Sequence, residues 1–259
     1  MKLLGRTQPL SRYPILECLA VIARLGFDGV EICLENPDLA PGGLTPALAA
    51  AVRERVQALG LRPHSVSYHK DYVRDDREFD LTLRAIELTP DFGARVFVFS
   101  GPFRQTGDAA EWERMVERTR QLARLAESRG VTLAEEFEPG FVVGSTADLL
   151  RLFDAVDSDS LAANLDLGHA FLCDPDPLDS IRQLGPRIAH CHIENMRAGA
   201  HEHLLPHEGD MNLADYLRAL AGTGFQGGLA LDLYKHDYEA VAPGAIAYLR
   251  RLIAGVTGG

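Results

Sequence analysis

The sequence predicts an α/β fold, a single (β/α)8 TIM barrel spanning residues 1–259, on three observations. Short β-branched or aliphatic runs alternate with longer amphipathic stretches from end to end, the pattern of a parallel sheet whose crossovers are helices. Eight such units can be counted along the chain, and eight units in about 250 residues is the size of this barrel. No G-x-G-x-x-G follows the first strand, which argues against the competing doubly wound open sheet.

In chain order the strands are expected at Lys2–Arg6, Gly29–Cys33, Arg62–Ser67, Arg95–Ser100, Thr132–Glu136, Leu161–Asp166, Ile188–Ile193 and Gly228–Leu233. The helices between them are expected near 14–25, 45–59, 78–92, 109–129, 145–156, 177–184, 212–223 and 243–254. Gly26, Gly60, Gly130 and Gly224 follow apolar-periodic stretches as C-terminal caps, and Thr45-Pro46 and Ser145-Thr146 open helices. The phrase Leu25-Gly26-Phe27-Asp28-Gly29 returns as Thr223-Gly224-Phe225-Gln226-Gly227, the same helix-to-strand turn used twice.

Composition bounds the function. The formal charge of −11 removes the sequence-independent attraction to phosphates that a basic face supplies, so no nucleic-acid partner is expected. No apolar run reaches the roughly 20 residues of a membrane span, and the start meets Arg6, Gln8 and Pro9 in place of a signal-peptide core. Cys18, Cys33, Cys173 and Cys191 form no C-x-x-C pair and read as buried thiols in a reducing compartment. A cytoplasmic location is expected; a homo-oligomer is compatible with the composition.

Active sites in this fold lie at the C-terminal ends of the strands, so polar residues there are tested for chemistry. They are Glu31, His69, Ser100, Glu136 and Glu138, Asp166 and His169, His190 and His192, and Asp232. Glu136, Asp166, His192 and Asp232 each close an apolar strand. Three carboxylates and an imidazole at one barrel mouth repel and resist desolvation unless a cation sits among them. Oxygen ligands with one imidazole suit Mn²⁺, Mg²⁺ or Co²⁺, with Zn²⁺ also compatible. His169 follows Asp166 by three residues, and His201-Glu-His203 puts two imidazoles on one side of an extended segment. These three suit a second metal, a grip on sugar hydroxyls, or a solvated loop.

Taken together, Gly26-Phe-Asp-Gly-Val-Glu31, Asn164-Leu-Asp-Leu-Gly-His-Ala170, His190-Cys-His192, Glu208-Gly-Asp210 and Gly224-Phe-Gln-Gly-Gly-Leu-Ala-Leu-Asp232 resemble the xylose-isomerase-like barrel superfamily. That group holds sugar and sugar-phosphate isomerases and epimerases and also endonuclease IV. The resemblance covers nearly the whole chain and implies that Glu136, Asp166, His192 and Asp232 take the places of the shared metal ligands. It places His169 where ketose 3-epimerases hold substrate oxygen and where endonuclease IV binds a further zinc. His201 and His203 fall where that enzyme has an Asp-x-His zinc pair, and His69 where it has a zinc histidine. Two places depart from the pattern: after strand four, where the nuclease has another zinc histidine, this chain reads Phe99-Ser100-Gly101-Pro102, and Asp232 stands where the epimerases usually have Glu.

The chemistry implied is proton transfer next to a carbonyl through an enediolate, with Glu136 as first base, Asp232 facing it and Glu138 in reserve. His69, His169, Glu138 and Arg197 are the expected substrate contacts, with Arg104 as a further anion contact; Tyr68 and Phe137 suit either sugar stacking or core packing. The substrate expected is a small polyhydroxy carbonyl compound, in the setting of carbohydrate metabolism. Metal-dependent isomerisation or epimerisation leads; dehydration of a substrate of the inosose or dehydroshikimate type uses the same proton abstraction, and an endonuclease IV-like phosphodiesterase or a non-catalytic binding barrel are the further classes.

Overall fold

The computed structural model describes residues 1–103 and 107–257. Eight parallel strands close into one barrel: β1 (Lys2–Arg6), β2 (Gly29–Cys33), β3 (Arg62–Ser67), β4 (Val96–Ser100), β5 (Thr132–Glu136), β6 (Leu161–Asp166), β7 (Ile188–Ile193) and, after a two-stranded hairpin, β10 (Gly228–Leu231), which pairs with β1 to complete the ring. The helices are α1 (Ile15–Leu25), α2 (Pro46–Ala58), α3 (Asp76–Leu88), α4 (Ala109–Arg129), α5 (Thr146–Val156), α6 (Leu167–Cys173), α7 (Pro177–Leu184), α8 (Leu213–Gly222) and α9 (Tyr238–Thr257). The apolar faces of these helices pack on the outward-facing strand residues, so the main core is the layer between sheet and helices.

Local signals act where expected. Thr45 Oγ1 accepts from the Leu48 N–H at the start of α2, and Ser145 Oγ from the Asp148 N–H at the start of α5. Gly26 closes α1 in the left-handed region, φ 88°, where a side chain would be strained. Cys18, Cys33 and Cys191 are buried free thiols; Cys173 is half-buried.

Several boundaries differ from the expectations: β4 opens at Val96, one residue after the expected Arg95, and α3 ends at Leu88, where a 3-10 turn over Thr89–Phe92 takes over. The last strand stops at Leu231, so Asp232 stands just beyond it. Helix α9 begins at Tyr238, ahead of the expected start at 243, and runs through Pro243. Burial of Tyr238, Ala242, Ala245, Ile246 and Leu249 against the barrel outweighs the roughly 3 kcal/mol that an interior proline costs. Two elements were unpredicted: the short α6, and the hairpin β8 (Asn195–Arg197) with β9 (Ala200–Leu204). Seven residues of helix are too few for a 3.6-residue periodicity to show. No helix among the described residues is long and apolar enough to cross a membrane.

Candidate active site and metal centre

Parallel register brings the strand ends together. Ser100 pairs with Glu136, Glu136 with Asn164 and Asp166 with His192 across β4 to β7. Asp166 also caps α6, its Oδ1 accepting the His169 N–H at 2.8 Å, which leaves Oδ2 aimed into the site. Gly168 of this D-x-G-H segment is required sterically, because a Cβ there would overlap Glu194 Oε1 and Met196 Cε.

Glu136, Asp166 and His192 are buried and present ligand atoms within 4.8 Å of one another. His192 Nδ1 lies 3.3 Å from Glu136 Oε1 and 3.8 Å from Asp166 Oδ2. Its other nitrogen, Nε2, lies 3.1 Å and 3.2 Å from the oxygens of Glu31, which also contacts His190 Nε2 at 2.6 Å and Arg6 Nε at 2.8 Å. One ring nitrogen thus faces the site and the other a fixed carboxylate, the arrangement that orients a metal-binding histidine. Burial alone would raise the Glu136 carboxyl, but His192, His69 and His169 outweigh it and hold it below the usual carboxylate range. Burial would lower His192, yet Glu136 and Glu31 hold its imidazole protonated well above the usual range.

Asp232 does not join that trio. Its Oδ2 is engaged by the guanidinium of Arg6, and its carboxylate lies 3.6 Å from His203 Nδ1. Against the effect of burial, Arg6 first and then His203 and His192 keep Asp232 ionised below its usual range. The sequence pattern had grouped four ligands; the side chains bring three together and set Asp232 beside them as the partner of a buried arginine.

His169, His201 and His203 form a separate cluster. His169 Nε2 and His203 Nε2 lie 3.1 Å and 3.3 Å from His201 Nε2. The Nδ1 atoms of His169 and His203 donate to the carbonyls of Phe137 at 3.0 Å and Asp232 at 3.2 Å, so their Nε2 lone pairs converge on His201. Burial and the neighbouring imidazoles push His201 down to about 4.

The remaining expected contacts divide. His69 Nδ1 lies 3.1 Å from Ser100 Oγ, and its Nε2 is 3.8 Å from Glu136 Oε2. Glu138 lines the same cavity; burial and then Glu136 raise its carboxyl. Arg197 lies outside: it is exposed at the end of β8, beside the hairpin turn, and paired with Glu202 at 2.8 Å. Arg104 lies outside the described residues. Tyr68 donates to Glu78 at 2.6 Å, and it and Phe137 are core residues.

Sequence reasoning missed three buried groups. Arg6 ends β1 as the carboxylates end other strands, and that strand-end position is the signal that could have found it. Glu194, two residues beyond His192, accepts the Gly168 N–H at 3.0 Å, and burial, Asp166 and Asp232 raise its carboxyl well above the usual range. Asn164 donates from Nδ2 to Glu136 Oε2 at 2.9 Å.

The donor set fits a divalent ion. Asp166 Oδ2, Asp232 Oδ1, Glu194 Oε2 and His69 Nε2 are buried polar atoms without a hydrogen-bond partner among the described residues. Such orphaned buried atoms are costly unless a cation or another partner satisfies them.

Comparison with known proteins agrees with this architecture. The chain is 24% identical over 261 residues to a fructoselysine 3-epimerase of Shigella flexneri, covering 93% of this chain and 94% of that protein. It is 29% identical over 200 residues to an inosose dehydratase of Bacillus thuringiensis, covering 70% of this chain and 63% of that one. A solved structure of the IOLI protein with a bound zinc atom superposes with a TM-score of 0.80 at 21% identity, covering 99% and 98% of the two chains. The family described as xylose isomerase-like TIM barrel matches residues 19–252, and the chain belongs to it.

Proposed function

We propose that the protein is a divalent-metal-dependent isomerase or epimerase of a sugar, sugar phosphate or cyclitol, acting by proton transfer α to a carbonyl. The observation that carries this reading is the converging trio Glu136, Asp166 and His192, of which Glu136 lines a cavity of about 280 Å³ together with Glu138, His69 and Asp232. Epimerase and dehydratase relatives support the same class of chemistry.

Glu136, Asp166 and His192 would hold the ion, Mn²⁺, Mg²⁺, Co²⁺ or Zn²⁺, with Asp232 Oδ1 available beside them. When bound, the ion supplies Lewis-acid stabilisation of negative charge on the substrate oxygens. Glu136, held ionised, takes the proton from the carbon next to the carbonyl. Glu138, whose carboxyl is raised by burial and by Glu136, lines the same cavity and is the group assigned to return one. His69, fixed by Ser100, and His169, fixed by the Phe137 carbonyl, orient substrate hydroxyls. The histidine trio His169, His201 and His203 is a site for a second ion, since its three residues bring ligand nitrogens within 4.8 Å of one another.

Incubating the metal-loaded enzyme with candidate ketoses in D₂O tests the reading. Metal-dependent deuterium incorporation at the isomerised or epimerised carbon is expected, with a loss of about 10²- to 10⁴-fold in Glu136→Gln, because an amide cannot accept the proton. Exchange at full rate in Glu136→Gln would remove Glu136 from the role of base. The second reading, a dehydratase, is favoured by the inosose dehydratase relative and is read in the same experiment as loss of water to an unsaturated product.

A further inference from the structure

We propose that a cavity adjoining the reaction site is a second compartment of it, which takes an extension of the substrate ending in an anion and pairs that anion with Lys70. This rests on the reading of the main cavity as a polyhydroxy-carbonyl site.

The two cavities, of about 280 Å³ and about 410 Å³, share His69, Lys70 and Glu138 as a common wall. Small-molecule sites usually exceed roughly 300 Å³, so the first alone sits at the low end and the joined space well inside the range. The second cavity is built rather than incidental. Its outer wall is the pair Phe103 and Phe141, ring centroids 5.2 Å apart, carried on an antiparallel bridge between the loops after β4 and β5. The Val142 N–H donates to the Pro102 carbonyl at 3.0 Å, and Arg74 holds the Phe103 carbonyl at 2.7 Å from below.

Phe103 nonetheless leaves 53% of its surface exposed, an apolar wall open to an aliphatic stem. The charged groups decide which end that stem carries. Arg74 is occupied by Glu111 and Asp71, and Asp71 in turn accepts the Val73 and Arg74 N–H groups. Lys70 lines both cavities, is exposed, and makes no ion pair among the described residues. Lys70 is the lysine common to both cavities, so a carboxylate or phosphate at the end of the stem finds its cation there.

Calorimetric binding to the metal-loaded protein tests this with four probes: a ketose carrying 6-aminohexanoate on C1 through nitrogen, the same conjugate as its N-methylamide, the free ketose, and its 6-phosphate. The carboxylate should bind about tenfold more tightly than the amide, or the phosphate about tenfold more tightly than the free ketose, the pair that responds identifying the anion's source. Lys70→Arg should keep the preference and Lys70→Met should reduce it below about twofold. Equal affinities within both pairs, or a preference that survives Lys70→Met, would overturn the inference. Deuterium exchange separates the two levels: exchange of the free ketose without any Lys70-dependent preference overturns the second compartment alone, whereas no exchange and no binding by any ketose overturns the underlying reading with it.

Discussion

The two ligand clusters at the barrel mouth differ in what holds them and in charge. Glu136, Asp166 and His192 stand at the ends of adjacent strands, where hydrogen-bonded register fixes their spacing. His201 and His203 ride on the β8–β9 hairpin, tied to the barrel through His169, one turn beyond Asp166, and through the contact of His203 with Asp232. The strand cluster is anionic and fully buried, with His192 held protonated as a stand-in cation. The histidine cluster contains no carboxylate, and burial with mutual repulsion holds His201 and His203 neutral. A divalent ion in the first place would displace a proton from His192; in the second it would meet two imidazoles held neutral, His201 and His203, beside His169, which Asp166 and Glu136 raise. Sheet register therefore supplies a site dominated by carboxylates, and the hairpin one dominated by imidazoles.

The sharpest way to break the contrast is to remove a strand ligand. Asp166→Asn and His192→Ala should each abolish the ion at the strand cluster, measured by elemental analysis, and lower activity by more than about 10³-fold, while the histidine cluster keeps its own affinity. Loss of both ions together would make the clusters one site.

Arg6→Met comes next. The guanidinium sits between Glu31 and Asp232, and removing it leaves two buried carboxylates without their cation, a cost of about 3–5 kcal/mol in chemical denaturation of the metal-free protein. Saturating divalent ion should recover part of that loss if the same charge is being offset. No recovery would mean that Arg6 acts on stability independently of the metal centre.

His201→Ala should cost less: about 10- to 100-fold in affinity for a second ion such as Zn²⁺, with the stoichiometry falling from two to one and the strand ion unaffected. An unchanged stoichiometry of one in the wild-type protein would reduce the histidine cluster to a substrate contact.

The smallest effect lies away from both clusters. His64 stacks on His190 inside the barrel, ring centroids 5.2 Å apart, and burial with the charge of His190 lowers its pKa from 6.5 to about 4. The unfolded chain therefore takes up a proton near pH 6.5 that the folded chain refuses until about 4, so stability falls as the pH drops through that window. The contribution is about 2 kcal/mol, and His64→Gln should remove it from the difference between unfolding measured at pH 7 and at pH 4.5. An unaltered pH slope in that variant would assign the acid sensitivity to the ligand clusters instead.

Most of the fold was legible because its signals are local. Apolar runs ending in Glu136, Asp166 and His192 announce strands and strand-end chemistry together, and Thr45, Ser145 and Gly26 punctuate helices through contacts within a few residues. The D-x-G-H and H-x-H segments likewise carry their meaning in short spacings, since Asp166 caps the turn that places His169, and alternation puts His201 and His203 on one side.

What only the tertiary structure decided is which of these groups meet. Asp232 has the same strand-end position as Asp166, yet it faces Arg6 from the far end of the chain, because closing β1 against β10 brings residues over two hundred positions apart into contact. Arg197 matches an anion-binding pattern by sequence, but the hairpin turns it to Glu202 and solvent. Glu31 reads as one more strand-end carboxylate until the barrel closes and sets it under His192 and His190. Residue type and periodicity determine which elements form and which end of a strand bears charge. Partnership between charges depends on distances across a closed ring, and those follow from packing and register that no local stretch of sequence contains.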